Sequence, residues 1–197
     1  MNRLLSLWKQ PTLSFEEVLS KKINWWRSLL LFGCQGILYV HIILKAGGHL
    51  DISSSKMFFA TTLFLVGVGM LYGILSNLLI GLFIKLTGRF FGAVNDLKTI
   101  YNALTWAYLP SSVSVVLILI SLVIAESLLS GPTSGVDIIL VGFIVIFNLI
   151  QSVIGIWQFL LLYKGLKVAQ ELNRTNTILH YLSGAVILGV LNYLLIF

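Results

Sequence analysis

From Ser28 onward the chain alternates long apolar stretches with short polar ones, and charged residues bracket the stretches. They cover 28–46, 57–85, 105–126, 138–164 and 175–197. A helix crosses ~30 Å of hydrocarbon in about 20 apolar residues, so each stretch predicts one transmembrane helix. The apolar part of the first, Ser28 to Leu44, is about 26 Å long at the helical rise and borrows length from its flanks. The second, Met57 to Ile84, reaches about 42 Å and must tilt, kink or project.

Two segments carry a mixed pattern instead. In "PTLSFEEVLSKKINWW", Ser14 and Glu17 have capping-box spacing behind Pro11. Phe15, Val18, Leu19, Lys22, Ile23 and Trp26 then recur at helical spacing, with Glu16, Glu17 and Lys21 off the stripe. This predicts an amphipathic helix on the inner leaflet, anchored by Phe15, Leu19, Ile23, Trp25 and Trp26. The second segment is "GRFFGAVNDLKTIYNALTWAYLP", Gly88 to Pro110. Asn95 or Asp96 can cap a helix with Leu97, Ile100, Tyr101 and Leu104 on one face and Lys98 and Asn102 off it. It predicts a second interfacial helix that turns into the membrane near Trp106 and Pro110. A proline there costs little, because the first helical N–H groups lack partners anyway.

Charge sets the orientation. Arg3, Lys9, Lys21, Lys22, Arg27, Lys85, Arg89, Lys98, Lys164, Lys167 and Arg174 fall on one side, eleven in all, against Lys45 and Lys56 on the other. The loop "ESLLSGPTSGVD" has none. The positive-inside rule then puts the N-terminus in the cytoplasm and the C-terminus outside. The expected fold is an all-α bundle of five transmembrane helices with two cytoplasmic interfacial helices. It forms a single domain over 1–197, of which 1–27 is the cytoplasmic or interfacial segment.

Composition agrees: 58% of residues are hydrophobic, 10% are charged, and mean hydropathy is +0.98. A soluble domain has about a quarter charged. The net charge of +6 points to the lipid bilayer and its anionic headgroups, not to nucleic acid, because no basic cluster stands apart from the membrane flanks. No cleavable signal is expected in the N-terminal segment. Cys34 is the one cysteine and builds no disulfide framework.

Catalytic chemistry is not expected. "HYLSGAV" offers Ser183 and Gly184, but Tyr181 holds the place where a membrane serine protease needs glycine. Glu16 and Glu17 lie on the N-terminal helix and not within a crossing. His41, His49 and His180 do not converge; His41, His49 and Asp51 read as solvated residues before they read as a metal trio. No Asp, Glu, Lys or Arg stands mid-crossing, which speaks against coupled transport, and no phosphate loop is present. No cofactor and no metal are expected.

What the crossings do carry is packing chemistry. Gly69, Gly73, Asn77 and Gly81 fall four apart on the second crossing; Asn148, Gln151, Ser152, Gly155 and Gln158 stripe the fourth. Small residues let helices approach, and amides in hydrocarbon seek partners. Asn77 stands eight residues before Lys85, about 12 Å, which matches the depth of Ile156 before Lys164. The second and fourth crossings are therefore expected to pack along Gly69, Gly73 and Asn77, with Asn77 bonded to the amide stripe. A partner-facing role for the same residues stays open.

Three motifs in order resemble the YIP family, polytopic proteins named for interaction with Ypt/Rab GTPases, in its bacterial branch. They are the proline-then-aromatic "KQPTLSFEEVL", the small-x-x-Tyr-x-Pro entry of "YNALTWAYLPSSVS" (through Ala107, Tyr108 and Pro110), and "IWQFLLLYKGLKVAQELNRTNTI" with Trp157, Gly165 and Leu166. The Asp-Leu-Tyr-Gly-Pro motif of eukaryotic members is absent, so Rab binding does not carry over. The resemblance implies a multi-pass protein of the bacterial plasma membrane. It also implies no enzyme activity and an accessory role beside an ABC-type exporter or toxin-resistance complex. A stand-alone bilayer-sensing or membrane-shaping protein is the alternative, and a small-molecule channel or carrier comes third. Homo-oligomerisation is left open.

Overall fold

A computed structural model describes residues 9–46, 55–94, 96–129 and 136–181. The expected fifth crossing beyond Tyr181, together with His49, Asp51 and Asn95, lies outside the described residues. The described residues are all-α. They form α1 (Pro11–Leu19), α2 (Trp25–Ala46), α3 (Ser55–Gly88) running into a 3₁₀ turn (Arg89–Phe91), α4 (Leu97–Ala107), α5 (Leu109–Leu129) and α6 (Val136–Ala169). Residues 174–181 form a further helix, α7. Among the described residues four stretches are long and apolar enough to cross a membrane: Trp25–Leu44, Phe59–Phe91, Leu97–Ile124 and Val145–Ala169. At 34 residues each, α3 and α6 run about 51 Å and exceed the ~30 Å of hydrocarbon.

The N-terminal helix differs from expectation. It starts at Pro11, with Gln10 at the cap and no side-chain cap bond, so the Ser14–Glu17 capping box does not form. Proline presets the helical φ and lacks the N–H that would be orphaned, so it initiates the helix one turn earlier. Ser14 is then interior and buried, its N–H donating to Gln10 O at 3.1 Å. The helix stops at Leu19, where Ser20 Oγ donates to Glu17 O at 2.8 Å. Asn24 opens α2 by accepting the Arg27 N–H at 3.2 Å. Ile23 and Trp26 therefore do not continue the stripe of Phe15 and Val18.

The chain forms two compact units. The first comprises 1–28, 77–107 and 159–197. Here every residue of α4 from Ile100 to Ala107 is buried, Asn102 included, while Lys98 stays exposed. Asp96 caps α4 by accepting from the Thr99 N–H at 3.1 Å and the Thr99 hydroxyl at 2.7 Å. Those bonds, the hydroxyl foremost, hold its carboxyl below the usual carboxylate range. The Tyr101 ring lies over Gly81, and its hydroxyl donates to Leu78 O at 2.8 Å.

The second unit comprises 29–76 and 108–158, and its core is Ile37, Leu65, Val115, Ile118 and Leu122. Here α2 and α3 touch backbone to backbone. A Cβ added at Gly73 would stand 2.6 Å from Gly36 Cα, and one at Gly69 would stand 2.7 Å from Ile37 Cα. The Gly69–Gly73 face thus packs on α2 and not on α6. The physical reason is Gly36: a small-residue stripe needs a partner that also lacks side chains, and Gly36 in the first crossing supplies it.

Candidate functional site

The segment that opens α2 and the buried face of α4 build a polar site within the first unit. Asn102, 6% exposed, donates from Nδ2 to Val18 O at 3.1 Å and to Lys21 O at 3.4 Å. It thereby holds the last turn of α1 and the break that follows. Thr105 Oγ1 and Ser28 Oγ lie 2.7 Å apart, and Ser28 Oγ donates to Asn24 O at 3.1 Å. Trp25 meets Tyr101 edge-on, with ring centroids 5.8 Å apart. The Arg27 guanidinium sits 4.8 Å over the Trp106 ring. Around these groups is a cavity of about 170 Å³, with Lys21, Lys22 and Arg27 in its wall. Lys21 pairs with Glu17 at 2.6 Å.

Of the expected anchors, Phe15 is fully buried and is a packing residue. Its ring fills the space above Gly165, where an added Cβ would come within 2.8 Å of Phe15 Cε1. Leu19 and Ile23 are half-buried, Trp25 is partly covered by Tyr101, and Trp26 stays 80% exposed. The motif residues resolve into structure too. Tyr108 is the turn between α4 and α5, its ring 6.0 Å from Phe32, and Pro110 stands in the first turn of α5. Leu166 is buried and Trp157 half-buried.

One pattern model for a known family covers nearly the whole chain: the Yip1 domain matches residues 5–196. The chain belongs to the Yip1 domain family. No curated protein and no solved structure matches it. In this Yip1 chain the proline-aromatic motif and the Gly-Leu motif, some 150 residues apart in sequence, meet as Phe15 on Gly165.

The amide stripe of the fourth crossing divides. Within the second unit Gln158 Nε2 donates to Gln35 Oε1 at 2.9 Å, and Ser111 Oγ donates to Gln158 Oε1 at 2.8 Å while lying against Gln35 Oε1. Gln151 Nε2 donates to Ser114 O at 3.2 Å. Those two glutamines join α6 to α2 and α5. Asn148, Ser152 and Gly155 are exposed, and nothing lies within 4 Å of where a Gly155 Cβ would stand. Asn77 is buried in the first unit. Sequence reasoning passed over Gln35, Ser111 and the inward role of Asn102. An amide in the middle of the first crossing was the available signal for Gln35.

Among the described residues no three His, Cys, Asp or Glu side chains gather as metal ligands. His180 bonds Thr87 Oγ1 at 2.7 Å and stacks on Phe91 at 5.2 Å, and Asn176 Nδ2 donates to Phe91 O at 3.0 Å. These contacts fasten the end of α3 and the 3₁₀ turn to α7.

Proposed function

We propose that this Yip1 protein is non-enzymatic and acts by helix contacts with another membrane protein, as accessory subunit of a bacterial ABC-type export or toxin-resistance complex. The observation that carries the helix-contact reading is the exposed stripe of Asn148, Ser152 and Gly155 on α6. Only 6% of the apolar window in Val145–Ala169 is buried, against 44% for Trp25–Leu44. A hollow at glycine flanked by polar groups is a poor surface toward lipid and a good one toward a second helix. The export assignment rests on the resemblance to bacterial family members. Eleven basic residues against two support an N-inside, C-outside chain of five crossings in the plasma membrane.

Purification of the wild type in mild detergent should recover a stoichiometric membrane-protein partner. Gly155→Leu should reduce that recovery about tenfold, for ~1.4 kcal/mol at the contact, and leave the thermal stability of the chain itself unchanged. A wild-type chain that emerges alone would favour the stand-alone bilayer-sensing reading, which the exposed Trp26 supports. A destabilised Gly155→Leu chain would make the stripe internal packing.

A further inference from the structure

The cavity in the first unit has a chemistry that the partner reading does not use. It holds about 170 Å³, room for a small anion with its water, and its wall carries Lys21, Lys22, Arg27, Asn24, Asn102 and Trp106. Among the described residues Glu17 pairs with Lys21. Among the described residues Lys22 and Arg27 have no carboxylate partner. The N-terminus of α2, 22 residues long with no acidic residue in its first turn, opens at the same place. Its dipole adds positive potential. The Arg27 head is fixed over Trp106, and the buried Asn102 holds the Val18–Lys21 backbone, so the wall is built and not a loose set of lysines. Trp26, beside Arg27, is 80% exposed, as a residue at headgroup depth would be. The unit as a whole carries eleven Lys and Arg against four Asp and Glu in its sequence.

We propose that this cavity binds the phosphate of an anionic phospholipid headgroup, with Arg27 and Lys22 as its principal contacts. Arg27 offers a planar fork suited to phosphate oxygens, and Lys22 a point charge. The lipid is the source because the site opens beside an exposed tryptophan at the start of a crossing. This inference uses the interfacial placement of the N-terminal segment and needs no protein partner, so failure of the partner reading leaves it standing.

The test is lipid retention by the full chain, purified from mixed bilayers and exchanged into nanodiscs or detergent. Phosphatidylglycerol should be retained at least tenfold over phosphatidylcholine. Lys22→Gln and Arg27→Gln should each cut that preference about fivefold or more. Arg174→Gln, which removes an exposed cation of the same unit outside the cavity, should leave it intact. Inorganic phosphate at millimolar concentration should not raise the melting temperature as a short-chain phosphatidylglycerol does. Equal loss in Arg174→Gln would mean diffuse attraction and overturn the site. Stabilisation by free phosphate equal to that by the lipid would overturn the lipid as its source. If Arg27→Gln fails to fold, Lys22→Gln alone decides, since that side chain is exposed and makes no described contact. Unchanged preference there would sink the proposal.

Discussion

The contact between α2 and α3 makes the sharpest demand on the structure. A Cβ added at Gly73 would stand 2.6 Å from both Gly36 Cα and Gly36 N. Comfortable carbon–carbon separation is about 3.5–4.0 Å, so Gly73→Ala must push the helices apart by about 1 Å. Both neighbours are backbone, so no rotamer change relieves the overlap. The core cluster around Ile37 and Leu65 loses contact as the helices part. Overpacking of this kind costs about 1–3 kcal/mol. For a chain of this size that is roughly 2–12 °C in melting temperature by the soluble-protein scale. Gly67→Ala is the control, because nothing lies within 4 Å of its added Cβ and alanine is the better helix former. Cys34 supplies the assay: it is the one cysteine, it packs against the same core, and a thiol-reactive dye reports its exposure on heating. Gly73→Ala and Gly36→Ala should both melt below the wild type, and Gly67→Ala should not. If all three melt together, the close approach of α2 and α3 is wrong.

Three further outcomes follow from named contacts. Asn102→Leu leaves the Lys21 carbonyl without its donor and the Val18 carbonyl with only the Lys21 N–H, at about 1–3 kcal/mol, and trypsin should cut at Lys21 or Lys22 about tenfold faster while the crossings stay inserted. Asp96→Ala should cost about 0.5–2 kcal/mol through loss of the α4 cap, whereas Asp96→Asn should cost little. Because the folded carboxyl of Asp96 titrates below its unfolded value near ~3.9, its contribution is complete above that pH and is lost as pH falls through the folded value. Stability measured against pH should therefore lose this acid-side decline in Asp96→Asn. Finally, Gln35→Leu and Gln158→Leu should be less costly together than their sum, with a coupling of about 0.6–2 kcal/mol in thermal melts; strict additivity would rule out the amide bond between them.

The hydropathy pattern by itself determined that this is a helical membrane protein and where most of its crossings lie. Runs of twenty or more apolar residues have one stable backbone solution in hydrocarbon, a solution local to the run. Family membership was also legible, in Tyr108, Pro110 and Gly165, because motif spacing survives without knowledge of contacts. The choice of neighbours was not. Gly69 and Gly73 mark a face that wants a close approach, yet spacing along one helix does not name the helix that comes close. Depth matching pointed to α6, but the missing side chain at Gly36 brought α2. Asn102 tells the same story on a smaller scale. Helical periodicity set it off the apolar face, and only the packing of α1 on α4 turned it into a buried donor to Val18 and Lys21. Periodicity reports which side of a helix prefers water; it carries no information about a polar group whose partner is a backbone carbonyl more than eighty residues away.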